Sequence, residues 1–447
     1  MTPLTIDEFA RRLRARTCSA VEALDECLRR IEADNRRLNA FILVMTDEAR
    51  EQAREADREM AAGHDRGPLH GAPISIKDLV DVKGTPTTAA SRVRSGHMAT
   101  ADAPIIARLR AAGAVFVGKT NLHEFAFGTT NEDSAYGPAR HPADPSRSPG
   151  GSSGGAAISV ATGMALAAIG TDTGGSIRIP AAICGTVGLK PTHGELPTDG
   201  VVPLSRTLDH VGPLTTTVTD AWHVLHALRG HLPAKPLAAT PVRRLRLGVP
   251  RPYFCDLLEA GVRRAFEAAI DTLRAGGAAF LEIAIPSTRL VGPVYQHIGY
   301  GDAAAYHAAT LETMPDRYTA PVRLRLEAAR YVLAEDYVRA LDGRELLRRE
   351  VDLAISGCDA LVLPTVPIPA PPIGQDWMTI DGTEQPVRNV LLRLTQLFNL
   401  TGHPAVTLPC GRTDDGFPCG LQLVGARGHT DALLQVARDV EGELARF

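Results

Sequence analysis

The chain has 447 residues, of which 44% are hydrophobic and 22% are charged, and its formal net charge is −3. This composition is typical of a globular protein and excludes a disordered one. The nearly balanced charge leaves no basic surplus to neutralise phosphates, which argues against a nucleic-acid-binding protein.

The seven cysteines are odd in number and contain no C-x-x-C pair, so they indicate neither a disulfide framework nor a zinc site. The first residues do not combine a charged region with a following apolar run, and we expect no secretory signal. The longest weakly apolar stretch, residues 156–170, is too short to span a bilayer. We therefore expect a soluble cytoplasmic protein that does not contact membranes.

The first half of the chain changes from helical to strand-like patterns. Thr5 and Ser19 each open a capping box ahead of apolar residues at helical spacing, which predicts helices in the first sixty residues. The elements predicted after them are a strand over 73–80, a helix over 103–112, a strand over 114–117, a loop over 140–155 and a helix over 156–166.

The second half repeats this alternation. Its predicted elements are a strand over 247–249, a helix over 261–275, a strand over 279–283, a helix over 335–355, a strand over 359–363 and a helix over 430–443. Alternating strands and helices predict an α/β fold with helices on both faces of a sheet. We find no internal repeat and no long low-complexity linker that would separate two domains.

Residues 113–120 fit the phosphate-loop pattern G-x-x-x-x-G-K-T. That mechanism needs a strand, a flexible loop that wraps around phosphates, and then a helix. Here Gly113 follows a predicted helix, and apolar strand formers come after it. We interpret Gly113 as a helix C-cap, and a nucleotide-binding module through Lys119 stays as an alternative to be tested.

Residues 150–154 fit G-x-S-x-G, the nucleophile elbow of α/β-hydrolases. The elbow must follow a buried strand, and the proline- and serine-rich residues 141–149 cannot form one. An α/β-hydrolase, with Ser152 as its nucleophile, is therefore a disfavoured alternative.

Two glycine- and serine-rich clusters, residues 150–155 and 170–180, remain to be explained. The second cluster predicts a turn followed by the start of a helix. Its consecutive glycines leave backbone N–H groups free to converge on an anion, and Ser176 stands at their end. An oxyanion hole beside a nucleophile needs this arrangement. The flanking residues 165–169 and 181–184 look buried, which argues against a flexible linker.

A nucleophilic serine needs a base. Neither cluster contains histidine and no metal-ligand spacing occurs, which argues against a metal hydrolase. The remaining candidate base is Lys77, which lies in an apolar predicted strand where burial would lower its pKa. Taken alone, a lysine in a strand is more often a solvated edge residue, so the assignment depends on the combination with both clusters.

This combination resembles the amidase-signature family. The matching motifs are G-G-S-S-G-G at 150–155, G-T-D-T-G-G-S-I-R-x-P at 170–180 and G-L-K-P-T at 188–192, and the resemblance extends over roughly residues 10–445. It implies a large mixed, twisted β-sheet covered by helices on both faces, in one domain over residues 1–447. The parts of that domain would be an N-terminal helical part over 1–62, a core with the catalytic triad over 63–230, and a second half over 231–447 that completes the sheet and the substrate pocket.

The resemblance also implies roles for individual residues. The catalytic triad would be Ser176 as nucleophile, Ser152 as bridging serine after a cis peptide bond, and Lys77 as base. The oxyanion hole would consist of the N–H groups of Thr173, Gly174, Gly175 and Ser176, the supporting residues would be Ser153, Asp172 and Arg178, and the substrate pocket would include Ala126, Phe127 and Gly128. No metal or organic cofactor is implied. At Asp133 the chain departs from the asparagine of many members, which leaves the hydrogen bonding there open.

The predicted function is hydrolysis of C–N bonds in small amides, with carbamates (urethanes) and esters as further substrates, through a seryl acyl-enzyme. The proline-rich residues 364–374 resemble free-standing amidases more than the A-type subunit of tRNA-dependent amidotransferases. That ammonia-releasing protein, which would need a partner, is the alternative. We expect a monomer or a homodimer that binds a small amide or carbamate. Phe125 and Phe127 favour an apolar pocket and packing of the core about equally.

Overall fold

The centre of the fold is a mixed β-sheet. The strands are β1 (Phe41–Val44), β2 (Pro73–Lys77), β3 (Val115–Thr120), β4 (Ala167–Asp172), β5 (Val187–Lys190), β6 (His210–Thr215), β7 (Arg246–Pro250), β8 (Ala279–Ile283), β9 (Ala360–Pro364), β10 (Trp377–Ile380), β11 (Thr383–Pro386), β12 (Ala405–Arg412) and β13 (Pro418–Val424). In residues 4–232 and 237–446, which this computed structural model describes, eleven strands form one sheet in the order β1-β3-β2-β4-β6-β5-β12-β13-β9-β7-β8. Strands β10 and β11 form a separate hairpin.

Helices pack against this sheet, against the hairpin or against one another. They are α1 (Ile6–Arg14), α2 (Ala20–Leu38), α3 (Thr46–Ala61), α4 (Pro104–Ala111), α5 (Gly154–Ala161), α6 (Arg178–Cys184), α7 (Val218–Arg229), α8 (Arg251–Phe254), α9 (Ala260–Ala275), α10 (Val291–Thr313), α11 (Ala320–Ala329), α12 (Ala334–Ile355), α13 (Val387–Leu392), α14 (Leu397–Leu400) and α15 (Thr430–Leu444). At the start of α2 the Ser19 hydroxyl accepts the Glu22 N–H, and the Glu22 carboxylate accepts the Ser19 N–H. This reciprocal cap confirms the capping box predicted at Ser19, whereas at Thr5 the structure shows only the half in which the hydroxyl accepts the Glu8 N–H.

The strands that carry the glycine-rich segments lie in the middle of the sheet. Strands β2, β3, β4 and β6 are buried along their whole length, which requires cover on both faces. The predicted α/β fold with a large mixed sheet is thus confirmed. Because β2 pairs with β3 and with β4 in parallel, the carboxyl ends of all three reach the same edge, where ligands bind in open α/β sheets.

Most predicted elements are confirmed to within two residues, but three boundaries are wrong. The strand predicted over 114–117 continues to Thr120 as β3. The strand predicted over 73–80 ends at Lys77, after which the chain turns. The helix predicted over 156–166 covers Gly154–Ala161, and the apolar residues after it begin β4 instead. Glycine disfavours helices on propensity. Here α5 starts on two glycines because a side chain at Gly154 would lie 2.9 Å from the Asn131 Cβ.

Lys119, in the phosphate-loop match, is a buried structural residue. It lies within β3, and Gly113 has a φ of +82° directly after α4, so the predicted C-cap and strand are confirmed. The Lys119 Nζ lies 2.9 Å from the Asp78 carboxylate and donates to the Pro86 carbonyl at 2.9 Å. Both ion-pair partners are 1% exposed. The segment therefore fills the sheet and does not wrap around an anion.

None of the helices within residues 4–232 and 237–446 is long and apolar enough to cross a membrane.

The Lys119→Met variant should be strongly destabilised, because it leaves the Asp78 carboxylate buried without its partner. We expect the free energy of unfolding, measured by urea denaturation, to fall by about 3–5 kcal/mol. The exposed Lys83→Met is the control and should differ from the wild type by less than about 0.5 kcal/mol. A Lys119→Met variant as stable as the wild type, or ATP binding that disappears in it, would contradict the structural role.

Candidate active site

Lys77 stands at the carboxyl end of β2 with its side chain fully buried. Its Nζ lies 2.8 Å from each of three hydroxyl oxygens, those of Ser152, Ser153 and Thr171. Burial lowers the pKa of Lys77 to about 7, against the opposing pull of the carboxylates of Asp172 and Asp209. An amine that is partly neutral near pH 7 can accept a proton from a hydroxyl that touches it.

Ser152 and Ser153 lie in the loop that leads into α5. The Gly151–Ser152 peptide bond is cis, as the resemblance implies. A Cβ on Gly151 would lie 2.8 Å from the backbone nitrogen of Asn131, so this position has no room for a side chain. The Ser153 N–H donates to the Ser176 carbonyl at 3.2 Å. The two glycine- and serine-rich clusters of the sequence are therefore neighbours in space.

The turn over residues 173–177 joins β4 to α6, so residues 170–172 of the second cluster belong to a buried strand and not to the predicted turn. Gly175 has a φ of +137°, which side chains rarely adopt, and a Cβ on Gly174 would lie 2.7 Å from the Tyr295 ring carbon Cζ. Within the described residues, no main-chain carbonyl accepts a hydrogen bond from the N–H groups of residues 173–176. These four donors can therefore face an oxygen that enters the site.

Exposure distinguishes the three predicted triad residues. Ser176 is 5% exposed, whereas Lys77 and Ser152 are 0% exposed. Of the three, Ser176 alone therefore has surface that solvent can reach.

A buried ion pair fixes the turn. Arg178 binds both carboxylate oxygens of Asp172, with Nε 3.0 Å from Oδ2 and Nη2 2.9 Å from Oδ1. Burial raises the pKa of Asp172, but the Arg178 guanidinium outweighs that effect and holds this pKa well below its usual range. Asp172 also accepts the Ile177 N–H at 3.1 Å, and Arg178 donates to Gln422 and Asn399 at 2.6 Å. The pair thus ties the end of β4, the turn and the second half of the chain together.

The sequence reasoning missed two residues that contact this arrangement. Thr171 supplies one of the three hydroxyls around Lys77. Asp209 accepts the Thr173 hydroxyl at 2.6 Å, and burial raises the pKa of Asp209 to about 6. Thr171 could have been found from its place in the second cluster, two residues before Thr173. Asp209 lies in a matching motif, but nothing in one sequence tells which strand it will adjoin.

The predicted pocket residues have different surroundings. The Phe127 ring lies 5.4 Å from that of Tyr300, and the Arg388 guanidinium carbon is 5.8 Å from the Phe127 centroid. Tyr300, Arg388 and Tyr295 line a cavity of about 320 Å³, and Tyr295 also packs against the glycine turn at Gly174. Phe127 therefore packs against two of the residues that line that cavity.

Ala126, Gly128 and Phe125 are buried against protein. Ala126 belongs to a hydrophobic cluster, and Gly128 packs against the His123 imidazole. Phe125 packs edge-on against His307, with ring centroids 4.4 Å apart. Packing of the core thus accounts for Phe125, while the substrate-pocket role of residues 126–128 stays a prediction.

Asp133, where the chain departs from many members of the family, has a defined partner. Its carboxylate lies 3.1 Å from the His123 Nε2, and its carbonyl accepts the Glu124 N–H at 2.6 Å. The neighbouring Ser134 hydroxyl donates to Asn121 at 2.8 Å. The changed side chain therefore lies against the His123 imidazole.

Comparison with known proteins relates the chain to amidases over nearly its whole length. The family model described as Amidase matches residues 22–434. An amidase of Pseudomonas putida is 42% identical, over 93% of this chain and 91% of its own. The A-type subunit of the glutamyl-tRNA(Gln) amidotransferase from Anaeromyxobacter dehalogenans (strain 2CP-C) is 39% identical, over 99% and 96%. A solved structure described as a crystal structure of amidase superposes with a TM-score of 0.93 at 38% identity, covering 98% and 99% of the two chains.

Proposed function

The chain belongs to the amidase family of enzymes that hydrolyse C–N bonds, and from this basis we propose that it is a free-standing serine amidase. In this proposal Ser176 is the nucleophile, Ser152 passes protons, and Lys77 is the base. The observation that carries it is the contact of the buried Lys77 Nζ with the Ser152 hydroxyl at 2.8 Å. A buried amine in that position has a pKa suited to proton transfer near neutral pH.

In the acylation step, protons pass along Ser176, Ser152 and Lys77, first toward Lys77 and then back. Neutral Lys77 takes the Ser152 proton while Ser152 takes that of Ser176, and the Ser176 oxygen bonds to the substrate carbonyl carbon. The N–H groups of residues 173–176 stabilise the negative oxygen that forms. When the carbonyl reforms, the C–N bond breaks and the proton on Lys77 returns through Ser152 to the departing nitrogen.

Hydrolysis of the acyl-enzyme repeats the sequence with water. Water gives a proton through Ser152 to Lys77, and its oxygen attacks the acyl carbon. When this second tetrahedral intermediate collapses, the bond to Ser176 breaks and the proton returns to the Ser176 oxygen. The products are a carboxylic acid and free enzyme, or, if the substrate is a carbamate, a carbonic acid monoester that loses CO2 to give the alcohol.

A second candidate is the ammonia-releasing component of a tRNA-dependent amidotransferase. The identity of 39% to the A-type subunit of a glutamyl-tRNA(Gln) amidotransferase favours it. The 42% identity to an amidase and the resemblance of residues 364–374 to free-standing amidases favour the first proposal. The two differ in whether the purified chain alone turns over simple amides, since an amidotransferase component would release ammonia from glutamine efficiently only with a partner.

A sulfonyl fluoride should form its covalent adduct on Ser176. We expect mass spectrometry of the digested protein to find the label on the peptide that contains Ser176, because Ser176 alone of the three has solvent-accessible surface. The Ser176→Ala variant should not be labelled, and the exposed Ser356→Ala control should be labelled like the wild type. An adduct confined to Ser152 would instead support the α/β-hydrolase alternative.

The pH profile should report the ionisation of Lys77. The neutral amine is the active form, so kcat/KM should rise through an apparent pKa of about 7 and level off above it. Steady-state rates on a non-ionising amide between about pH 5 and 10 measure this. Lys77→Met should fold normally by circular dichroism but lose at least about a hundredfold in kcat. Lys83→Met should keep the wild-type profile, and a wild-type midpoint near the lysine value of 10.5 would rule out a buried base.

A further inference from the structure

The cavity beside the glycine turn is rich in cationic and amide side chains. Its polar lining includes Gln296, Gln385, Arg388, Asn389, Arg393 and Gln396, and none of the described residues that line it is acidic. Tyr295 links the cavity to the turn, because it lines the cavity and its phenol ring contacts Gly174. The cavity therefore adjoins the glycine turn across Tyr295.

The two arginines in the lining differ in how the protein satisfies them. Arg393 lies over the Tyr253 ring, with 3.8 Å from guanidinium carbon to centroid, and donates to the Tyr253 carbonyl at 3.0 Å. Arg388 has no ion-pair partner among the described residues, and its buried Nε donates to none of them. The Nε of Arg393 also lacks an acceptor, but Arg393 is held through its Nη2, so Arg388 is the arginine of this cavity whose guanidinium donates to none of the described residues.

A second cation adds to the positive charge. The guanidinium carbons of Arg325 and Arg388 lie 5.5 Å and 5.8 Å from the centroid of the same Phe127 ring. Burial and the charge of Arg388 lower the pKa of Arg325 to about 10. The charge of Asp133 opposes this lowering of the Arg325 pKa. The Asp133 carboxylate itself lies 3.1 Å from the His123 Nε2. An anion bound at Arg388 would relieve the repulsion between the two cations.

We propose that Arg388 binds a carboxylate carried by the substrate, so that the preferred substrates are amides whose acyl part ends in a carboxylate. The proposal rests on the proposed amidase function and specifies its substrate class. The planar guanidinium can hold a carboxylate through two hydrogen bonds, and Gln385 and Asn389 offer amide donors beside it. Monoamides of short dicarboxylic acids have this chemistry.

The first experiment compares two substrate series with the purified chain. We expect kcat/KM for monoamides of succinic to adipic acid to exceed that for neutral alkyl amides of equal length by at least about tenfold. Arg388→Met should reduce this ratio to near one, whereas the exposed Arg289→Met control should keep it. Arg388→Glu should reverse it in favour of amides that end in an amine. A wild type without preference, or an Arg388→Met variant that keeps it, would overturn the proposal.

A binding measurement separates this proposal from the proposed function. Calorimetry with the Ser176→Ala variant, which cannot form an acyl-enzyme, should detect adipic acid monoamide, and adding Arg388→Met should abolish the binding. Binding that survives Arg388→Met would overturn the carboxylate site even if Ser176 is labelled as expected. Binding that depends on Arg388 would support the site even if Ser176 proves not to be the nucleophile.

Discussion

The proposed catalytic site depends on one buried amine, that of Lys77. Lys77 ends a fully buried strand, and the only polar contacts that its Nζ makes among the described residues are with the hydroxyls of Ser152, Ser153 and Thr171. A permanent charge there would be costly, since three neutral hydroxyls replace water only in part. The same desolvation that disfavours the charge brings the pKa of Lys77 to about 7 and suits it to act as a base.

The glycine turn depends on a different constraint, a buried charge that is fully paired. Asp172 and Arg178 neutralise each other at the end of β4, and the pair holds the Ile177 N–H and the amide of Asn399. Burying these charges without such pairing would be strongly unfavourable. Arg388 shows the opposite case, because it lines the adjoining cavity without an acidic partner among the described residues. One arginine therefore organises the backbone of the site, and the other remains available to a ligand.

Much of this was predictable from sequence, and the exceptions have physical causes. Periodicity gave the alternation of strands and helices, but α5 starts on Gly154 and Gly155 because close packing overrides helix propensity. The resemblance to the amidase-signature family brought Lys77 together with both glycine clusters. It could not find Asp209 or Arg388, since their roles arise from parts of the chain that meet only in the folded protein.

The central claim is that Lys77 and Ser152 act as one proton relay to Ser176. The most direct test is kcat for Lys77→Met, for Ser152→Ala and for the double variant, all on one amide at about pH 8. Residues that serve a single relay are not additive, so the double variant should lose little more activity than the worse single variant. Losses that multiply would mean that the two residues work independently, and the relay would be wrong.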